Sequence, residues 1–236
     1  MALMVDDIPE ARRSAPSTLR RSPRRSRLLG AALLGLLTLM GVVLLSPAGR
    51  RLLMPPVPGL AARPGLDGRL LGHFPYPEVA SQDLVSLGSG QLVHREVSEA
   101  LDAMQQAARA DGVDLVVLSA FRPQEAQKQI FFGVKSERNQ SASERAQVSA
   151  PPGYSEHSTG YALDLGDASQ PESHLSERFE DTSAFAWLQR HAARFHFQLS
   201  FPRGNAQGVS YEPWHWRFEG TAEALRMFEA AHRLVR

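Results

Sequence analysis

The sequence predicts an α+β domain in which an antiparallel sheet is flanked by helices, preceded by one N-terminal transmembrane helix. Three observations carry this prediction: one long uncharged apolar run near the N-terminus, amphipathic helical patterns interspersed with short apolar segments, and no regular strand–helix–strand repeat. Elements that alternate without such a repeat favour a mixed fold over a parallel, doubly wound one. The length of 236 residues suits one domain of ordinary size with appendages.

The apolar run covers residues 28–45 and reads LLGAALLGLLTLMGVVLL, with Thr38 as its only polar side chain. As a helix that rises about 1.5 Å per residue, a run of this length approaches the hydrocarbon thickness of a bilayer. We therefore predict a transmembrane anchor over residues 28–46.

Charges on either side of the apolar run predict its orientation. Seven arginines precede it, and only Arg50 and Arg51 follow it closely. Because cytoplasmic flanks are enriched in basic residues, residues 1–27 are predicted to be a cytoplasmic basic tail and the rest of the chain to lie outside. A cleaved signal peptide is the alternative, although the apolar run is longer than the usual signal core.

A proline-rich segment separates the apolar run from the folded part. Seven prolines fall between residues 47 and 77, and such a segment cannot form regular backbone hydrogen bonds. We predict a tether over residues 47–78 and a folded domain over residues 79–236. Residues 70–77 are apolar enough that docking on the domain as an extended arm is the alternative.

Composition excludes several classes of function. The first 51 residues carry a net charge of +6 and the remainder −5, so the folded part lacks the cationic excess that nucleic-acid binding requires. There is no cysteine, which excludes disulfides, thiol nucleophiles and thiolate metal sites. Any metal must therefore be bound by histidine and carboxylate.

The first half of the predicted domain contains two helices around one strand. Apolar residues at helical spacing predict an amphipathic helix over residues 91–111, which ends before a glycine. A β-branched segment predicts a buried strand over residues 113–119, and a proline after it opens a helix from residue 124 to about 134. Residues 136–150 are polar and without periodicity, and they predict a long loop.

The second half is predicted to supply most of the sheet. Alternating residues predict a strand over residues 161–165, followed by a helix over 183–196 and a short strand over 197–201. Residues 209–218 suggest a strand pair or one bent strand. A closing helix over residues 221–236 begins at a threonine cap.

Two of the eight histidines lie beside carboxylates in glycine- or proline-marked loops. His157 lies in Ser-Glu-His-Ser-Thr-Gly-Tyr-Ala-Leu-Asp, where a turn at the glycine would fold it back over the strand that carries Asp164. His215 follows Glu212 by three residues.

Two imidazoles and one carboxylate form a ligand set for a catalytic zinc with an open position, and a further carboxylate can take a proton from water. On a regular strand, Glu212 and His215 would face opposite sides. The interpretation therefore requires a bulge or bend at Pro213.

These segments resemble a known family. SxHxxGxAxD at residues 155–164, ExxH at 212–215 and an upstream Ser-x-Phe-Arg ending at Arg122 look like the motifs of zinc D-alanyl-D-alanine carboxypeptidases of the VanY type, which are relatives of the Hedgehog amino-terminal domain. The resemblance spans residues from about 92 to the C-terminus. It implies a Hedgehog/DD-peptidase-like fold for the predicted domain.

The resemblance also implies a role for each matching residue. His157, Asp164 and His215 would bind one zinc ion per chain, and Glu212 would be the catalytic general base. Arg122 would contact the substrate and stabilise the developing oxyanion. Two further substrate-binding residues are implied, Gln127 and Ser155. Taken singly, each of these residues also fits an ordinary polar role, and only the set points to chemistry.

The function implied is hydrolysis of the terminal D-alanine from peptidoglycan stem peptides that end in D-Ala-D-Ala. The predicted topology adds a single-pass protein of the cell membrane with a periplasmic or extracellular catalytic domain, and no nucleic-acid partner is expected. Two alternatives stay open: an L,D-carboxypeptidase acting on tetrapeptides, and a non-catalytic module that binds the cell wall.

Overall fold

The computed structural model describes Thr38, Val42, Ser46, residues 59–88 and residues 90–234. Most of the predicted transmembrane segment and all of the predicted basic tail lie outside the described residues. In the described part of the chain, no helix is both long enough and apolar enough to cross a membrane.

The described chain from residue 59 to residue 234 forms five α-helices and six β-strands, joined by short 3-10 helices and turns. In chain order they are β1 (Leu84–Ser86), β2 (Leu92–His94), α1 (Arg95–Ala110), β3 (Leu115–Ser119), α2 (Gln124–Glu137), α3 (Ala142–Val148), β4 (Ala162–Asp167), α4 (Ser183–His191), β5 (Phe197–Leu199), β6 (His215–Phe218) and α5 (Ala222–Leu234).

The main sheet has four strands in the order β3-β4-β6-β5, and every neighbouring pair is antiparallel. Strands β1 and β2 form a separate antiparallel pair. The predicted α+β fold with an antiparallel sheet and flanking helices is confirmed.

Side chains alternate across the two central strands, as the pleat requires. Leu163 and Leu165 of β4 and Trp216 of β6 belong to the main core, where they meet the apolar faces of α1, α4 and α5. Asp164 and His215, at intervening positions, are buried on the opposite face. The sheet therefore separates the core from a buried polar layer.

The predicted helix over residues 91–111 is wrong in its first turn. Residues Leu92–His94 form β2, which pairs with β1, and the helix begins only at Arg95. The His94 side chain caps it by accepting a hydrogen bond from the backbone N–H of Glu96 (3.3 Å). Pairing with a distant strand overrode the local helical pattern, as tertiary context often does.

The predicted long loop over residues 136–150 is also wrong. Helix α2 continues to Glu137, and α3 follows from Ala142 to Val148. A capping box opens α3: the Ser141 hydroxyl accepts from the Glu144 N–H (3.2 Å) and the Glu144 carboxylate accepts from the Ser141 N–H (2.7 Å). This reciprocal pair satisfies two backbone donors that a helix start leaves free.

Two later elements are shorter than predicted. The helix predicted over residues 183–196 ends at His191 and continues as a 3-10 turn, Ala192–Phe195. Of the strand pair or bent strand predicted over residues 209–218, only His215–Phe218 is a strand.

Residues before β1 contribute buried side chains to the domain. Phe74 and Tyr76 belong to the main core. A second apolar cluster consists of Leu60, Leu70, Phe131, Ala146 and Tyr154. Within residues 70–77, Leu70, Phe74 and Tyr76 are therefore buried against the domain, as the extended-arm alternative requires. The predicted boundaries of the tether and of the domain stay predictions.

Candidate active site

The sheet register brings two of the predicted ligands together. Asp164 on β4 is the direct antiparallel partner of His215 on β6. Side chains of such a pair project from the same face, with Cβ atoms about 5 Å apart. His215 Nδ1 lies 3.2 Å from Asp164 Oδ1, and both residues are buried.

A turn before β4 supplies the third predicted ligand. His157 lies in the 3-10 helix Glu156–Thr159, which ends at Gly160 with φ of 72°. A Cβ at Gly160 would lie 2.8 Å from the backbone nitrogen of His94, so only glycine fits there. The turn places His157 Nε2 3.3 Å from Asp164 Oδ2, as the sequence predicted.

The three side chains form a candidate metal site. One ligand atom from each of His157, Asp164 and His215 lies within 4.8 Å of the others. His157 Nδ1 lies 2.8 Å from the Ala120 carbonyl, which can only accept, so Nδ1 carries the proton and Nε2 keeps its lone pair. An imidazole oriented in this way is typical of a metal ligand.

His215 is oriented by a carboxylate that sequence reasoning missed. Its Nε2 lies 3.0 Å from Oε2 of Glu156, a side chain that is 1% exposed. Glu156 also accepts from the Ser200 hydroxyl (2.6 Å) and from Arg217 Nη1 (3.1 Å). Burial opposes its charge, yet Arg217 and His215 lower the pKa of Glu156 to about 2. An ionised Glu156 accepts from Nε2, which leaves Nδ1 facing Asp164.

Charges within the cluster are strongly coupled. Burial opposes the charged form of His215, but hydrogen bonds to Asp164 and Glu156 outweigh it and raise the pKa of His215 to about 10. Burial likewise opposes the charge of Asp164, while His157 and His215 hold the pKa of this carboxyl below its usual range. The cluster therefore favours an anionic Asp164 with a positive charge beside it.

Glu212 reaches the cluster because the chain turns before β6. The His215 N–H donates to the Glu212 carbonyl (3.1 Å), which closes a turn over Pro213 and Trp214. The strand begins only at His215, so the predicted bend is present. Glu212 Oε2 lies 3.8 Å from His215 Nδ1.

The environment of Glu212 suits proton transfer. Burial raises the pKa of Glu212 to about 7, and the carboxylates of Asp164 and Glu156 add to this effect against the opposing charge of His215. A carboxyl group with a pKa near neutrality can both accept and release a proton at physiological pH.

Arg122 lies on the same side of the cluster as Asp164. Its Nη2 is 3.8 Å from Asp164 Oδ2 and donates to the Ser119 hydroxyl (2.8 Å), while Nη1 donates to Gln127 Oε1 (2.9 Å). The guanidinium is thus held by protein contacts and retains an exposed fraction of 24%.

Gln127 is buried behind Arg122. Its Nε2 donates to the Ser149 hydroxyl (3.1 Å) and to the Ala150 carbonyl (2.7 Å). Both amide N–H groups are therefore used within the protein. This arrangement favours a role in positioning Arg122, and the predicted contact of Gln127 with substrate stays a prediction.

One cavity of about 580 Å³ collects every predicted site residue: His157, Asp164, His215, Glu212, Arg122, Gln127 and Ser155. Ser155 is buried at its wall, and its hydroxyl forms no hydrogen bond with the part of the chain that the structure describes. That hydroxyl is available to a ligand. The cavity is large enough for a small peptide end.

Comparison with known proteins agrees with this geometry. Residues 90–221, more than half of the chain, match the family described as VanY, D-alanyl-D-alanine carboxypeptidase. The chain belongs to the VanY family. A curated relative, a D-alanyl-D-alanine carboxypeptidase of Enterococcus faecalis (strain ATCC 700802 / V583), is 32% identical over 163 residues, which cover 65% of this chain and 58% of the relative. The chain thus spans little more than half of that relative's length.

Solved structures support the same fold. The LdcB LD-carboxypeptidase superposes with a TM-score of 0.56 at 27% identity, covering 69% of this chain and 81% of that one. A second structure is a mutant of the vancomycin-resistance D,D-pentapeptidase VanY from a VanB-type cassette, in complex with Zn(II). It superposes with a TM-score of 0.52 at 27% identity, covering 68% of this chain and 94% of that one. The present chain therefore shares its architecture with an LD-carboxypeptidase and with a D,D-pentapeptidase.

Proposed function

We propose that this chain is a zinc-dependent D,D-carboxypeptidase that removes the terminal D-alanine from peptidoglycan stem peptides. The observation that carries the proposal is the convergence of His157, Asp164 and His215 with Glu212 at one cavity wall. The Enterococcus faecalis relative, named for this activity, and the zinc complex of the VanY structure support it.

The donor set fits zinc. The site offers two buried imidazoles and one ionised carboxylate, a ligand set that catalytic zinc takes in proteins. In each imidazole, the ring nitrogen that would not bind the metal is hydrogen-bonded to a protein acceptor: Nδ1 of His157 to the Ala120 carbonyl and Nε2 of His215 to Glu156. Zinc bound there would act as a Lewis acid that polarises the scissile carbonyl and lowers the pKa of water.

Glu212 moves the proton. In hydrolysis, the oxygen of water forms a bond to the carbonyl carbon of the penultimate residue, and the bond from that carbon to the D-alanine nitrogen breaks. Glu212 accepts the proton that water loses and delivers it to the leaving amine, which its near-neutral pKa permits. No covalent bond to the protein forms.

Arg122 and Ser155 are proposed to orient the substrate. The guanidinium of Arg122 remains charged at all working pH values and suits either a peptide carboxylate or the oxyanion that develops during attack. Its contacts with Ser119 and Gln127 fix its position before substrate arrives. The free hydroxyl of Ser155 can donate to the terminal carboxylate.

Substitution Glu212→Gln tests the mechanism. It keeps the size of the side chain but removes the group that accepts the proton, so we expect kcat on a pentapeptide ending in D-Ala-D-Ala to fall about 10²- to 10⁴-fold. Zinc content, measured by elemental analysis, should stay at one ion per chain. Glu177→Gln is the matched control, because Glu177 lines the same cavity but pairs with Arg203 (3.2 Å). Undiminished turnover by the Glu212 variant would remove this residue from the mechanism.

An L,D-carboxypeptidase acting on tetrapeptides is the second candidate, favoured by the likeness to the LdcB structure. Release of D-alanine from a matched tetrapeptide and pentapeptide by the same preparation separates the two. Tight binding of both peptides without cleavage would instead favour the non-catalytic cell-wall module.

We propose further that the domain lies outside the cytoplasmic membrane, anchored by residues 28–46. The support is the sequence alone: the apolar run and the arginines before it. A C-terminal reporter enzyme active only outside the cytoplasm should be active, and the protein should sediment with membranes. Recovery of a soluble form that begins near residue 49 would favour a cleaved signal peptide.

A further inference from the structure

A buried arginine lies at the wall of the cavity, and no acid of the described residues pairs with it. Arg145 on α3 has an exposed fraction of only 7% and is one of the cavity-lining residues. Its side chain forms no hydrogen bond or ion pair with the part of the chain that the structure describes, and its buried Nε has no acceptor. Arg138, exposed nearby on the same cavity, also lacks an acidic partner within the described residues.

An unpaired buried charge is costly, so a protein rarely keeps one without a reason. Burial and the neighbouring Arg138 lower the pKa of Arg145, in the direction expected for a cation that has no counter-charge. A guanidinium offers five N–H donors in a planar array that matches a carboxylate. The position is thus ready to receive an anion.

The acids of the cavity are engaged elsewhere. Glu156, Asp164 and Glu212 belong to the metal cluster, with His157 or His215 within 4.0 Å of each. The remaining lining acid, Glu177, pairs with Arg203. The cavity therefore joins a cluster of acids and imidazoles to a wall that carries two unpaired cations.

Helix α3 is firmly held against the rest of the domain. The Ser210 N–H donates to the Gln147 carbonyl (2.9 Å), and His73 Nε2 is hydrogen-bonded to the Ala146 carbonyl (2.8 Å). At the end of α3, Gln127 donates to Ser149 and Ala150 while it accepts from Arg122. These hydrogen bonds fix the position of α3, and with it Arg145, relative to Arg122.

We propose that Arg145 binds a second carboxylate of the peptide substrate, one that precedes the scissile bond and is separate from the C-terminal carboxylate. The inference rests on the proposed function. A stem peptide carries such a group at D-glutamate when the side-chain carboxyl of this residue forms the peptide bond to the next residue. The main-chain carboxylate of D-glutamate is then free unless it is amidated. Arg145 would make the enzyme prefer the free acid to the amide.

The experiment compares two pentapeptides ending in D-Ala-D-Ala that differ only at the main-chain carboxyl group of D-glutamate, free in one and a carboxamide in the other. For the zinc-loaded full chain we expect kcat/KM to be about ten-fold or more higher for the acid, the size of a hydrogen bond between charged groups. In Arg145→Met, which keeps the apolar stem, the ratio should fall to about one. Arg145→Lys, which keeps the charge, should give an intermediate ratio.

Arg190→Met is the matched control, because Arg190 is exposed on α4 and, within the described part of the chain, donates only to the Ala186 carbonyl of its own helix. It should keep the wild-type ratio. A wild-type ratio near one overturns the proposal. So does a preference that survives in Arg145→Met, or an equal loss on both peptides, which would assign Arg145 to the C-terminal carboxylate.

Binding measurements separate this inference from the proposed reaction. If wild type cleaves neither peptide, the proposed function fails, and calorimetric titration of both peptides still tests the site. Tighter binding of the acid that disappears in Arg145→Met supports the carboxylate site, whereas equal affinities overturn it. Melting temperatures of all variants verify that each is folded.

Discussion

The two walls of the cavity are built differently. The sheet wall consists of β4, β6 and the 3-10 turn before β4. Its polar groups are held by strand pairing and by one another, since Asp164 is the register partner of His215 on the neighbouring strand and Glu156 is hydrogen-bonded to His215 Nε2. The helical wall consists of α2 and α3. It packs on the small apolar cluster around Phe131, and among the described residues it offers Arg145 no hydrogen-bond or ion-pair partner.

This difference separates two tasks. Side chains on paired central strands have little freedom, which suits groups that must meet a metal and a scissile bond within tenths of an ångström. The helical wall contributes Gln127 to the positioning of Arg122, but Arg145 forms no hydrogen bond or ion pair with the described residues, so this side chain can change without disturbing that geometry. We infer that the sheet wall provides the chemistry and the helical wall provides the choice of substrate.

The largest expected effect lies behind the sheet wall, at Glu156. Glu156→Ala removes the buried acceptor of His215 Nε2 and one of the two carboxylates that pair with Arg217, which keeps its ion pair with Glu219 (2.6 Å). Both partners keep another carboxylate, so the loss is that of buried donors left unsatisfied, and we expect the free energy of unfolding to fall by about 1–3 kcal/mol in urea titrations with chelator present. Zinc affinity, measured against a competing chelator, should fall about 10- to 100-fold, as for other groups that orient a metal ligand.

Glu177→Ala is the control for that measurement, since the Glu177–Arg203 pair is exposed on both sides. Exposed pairs contribute about 1 kcal/mol or less. If the two variants were equally stable and bound zinc equally well, the sheet wall would not differ from the surface in the way described.

The sequence could predict the sheet wall because its signals are local. His157 and Asp164 lie seven residues apart around a glycine turn, and Glu212 and His215 span a proline, so short segments fix which groups can meet. The structure brings all four together with Arg122. Their catalytic roles stay predictions until the variants are measured.

Support from distant residues could not be predicted in the same way. Glu156 precedes a predicted ligand directly, which is a signal in itself, but its partners Ser200 and Arg217 lie 44 and 61 residues away. Alternation along β6 places Arg217, two positions after His215, on the same face, but only the folded chain brings the turn that carries Glu156 to that face. Pairing of distant strands decides such contacts, and local patterns do not contain it.

Helix α3 was missed for a different reason. Periodicity identifies a helix by its apolar face, and the buried positions of this seven-residue helix are Arg145 and Ala146. Its capping box, Ser141 to Glu144, was present in the sequence but was not followed by an apolar run. A helix whose buried face carries a charged side chain lacks the apolar periodicity by which a helix is predicted from sequence.

The smallest expected effect lies at that capping box. It tests whether α3 can unfold locally while the sheet wall stays folded. Ser141→Ala removes the hydroxyl that accepts from the Glu144 N–H, and loss of such a cap costs about 1 kcal/mol. Ser143→Ala is the matched control, an exposed position within the same helix where alanine is at least as favourable. By hydrogen exchange, we expect the amides of α3 to exchange faster in Ser141→Ala while those of β4 keep their protection, because β4 is paired with β3 and β6 and not with α3. Equal acceleration in both walls would mean that the cavity opens as one unit, and substrate choice could then not be tuned on α3 without a cost to the reaction centre.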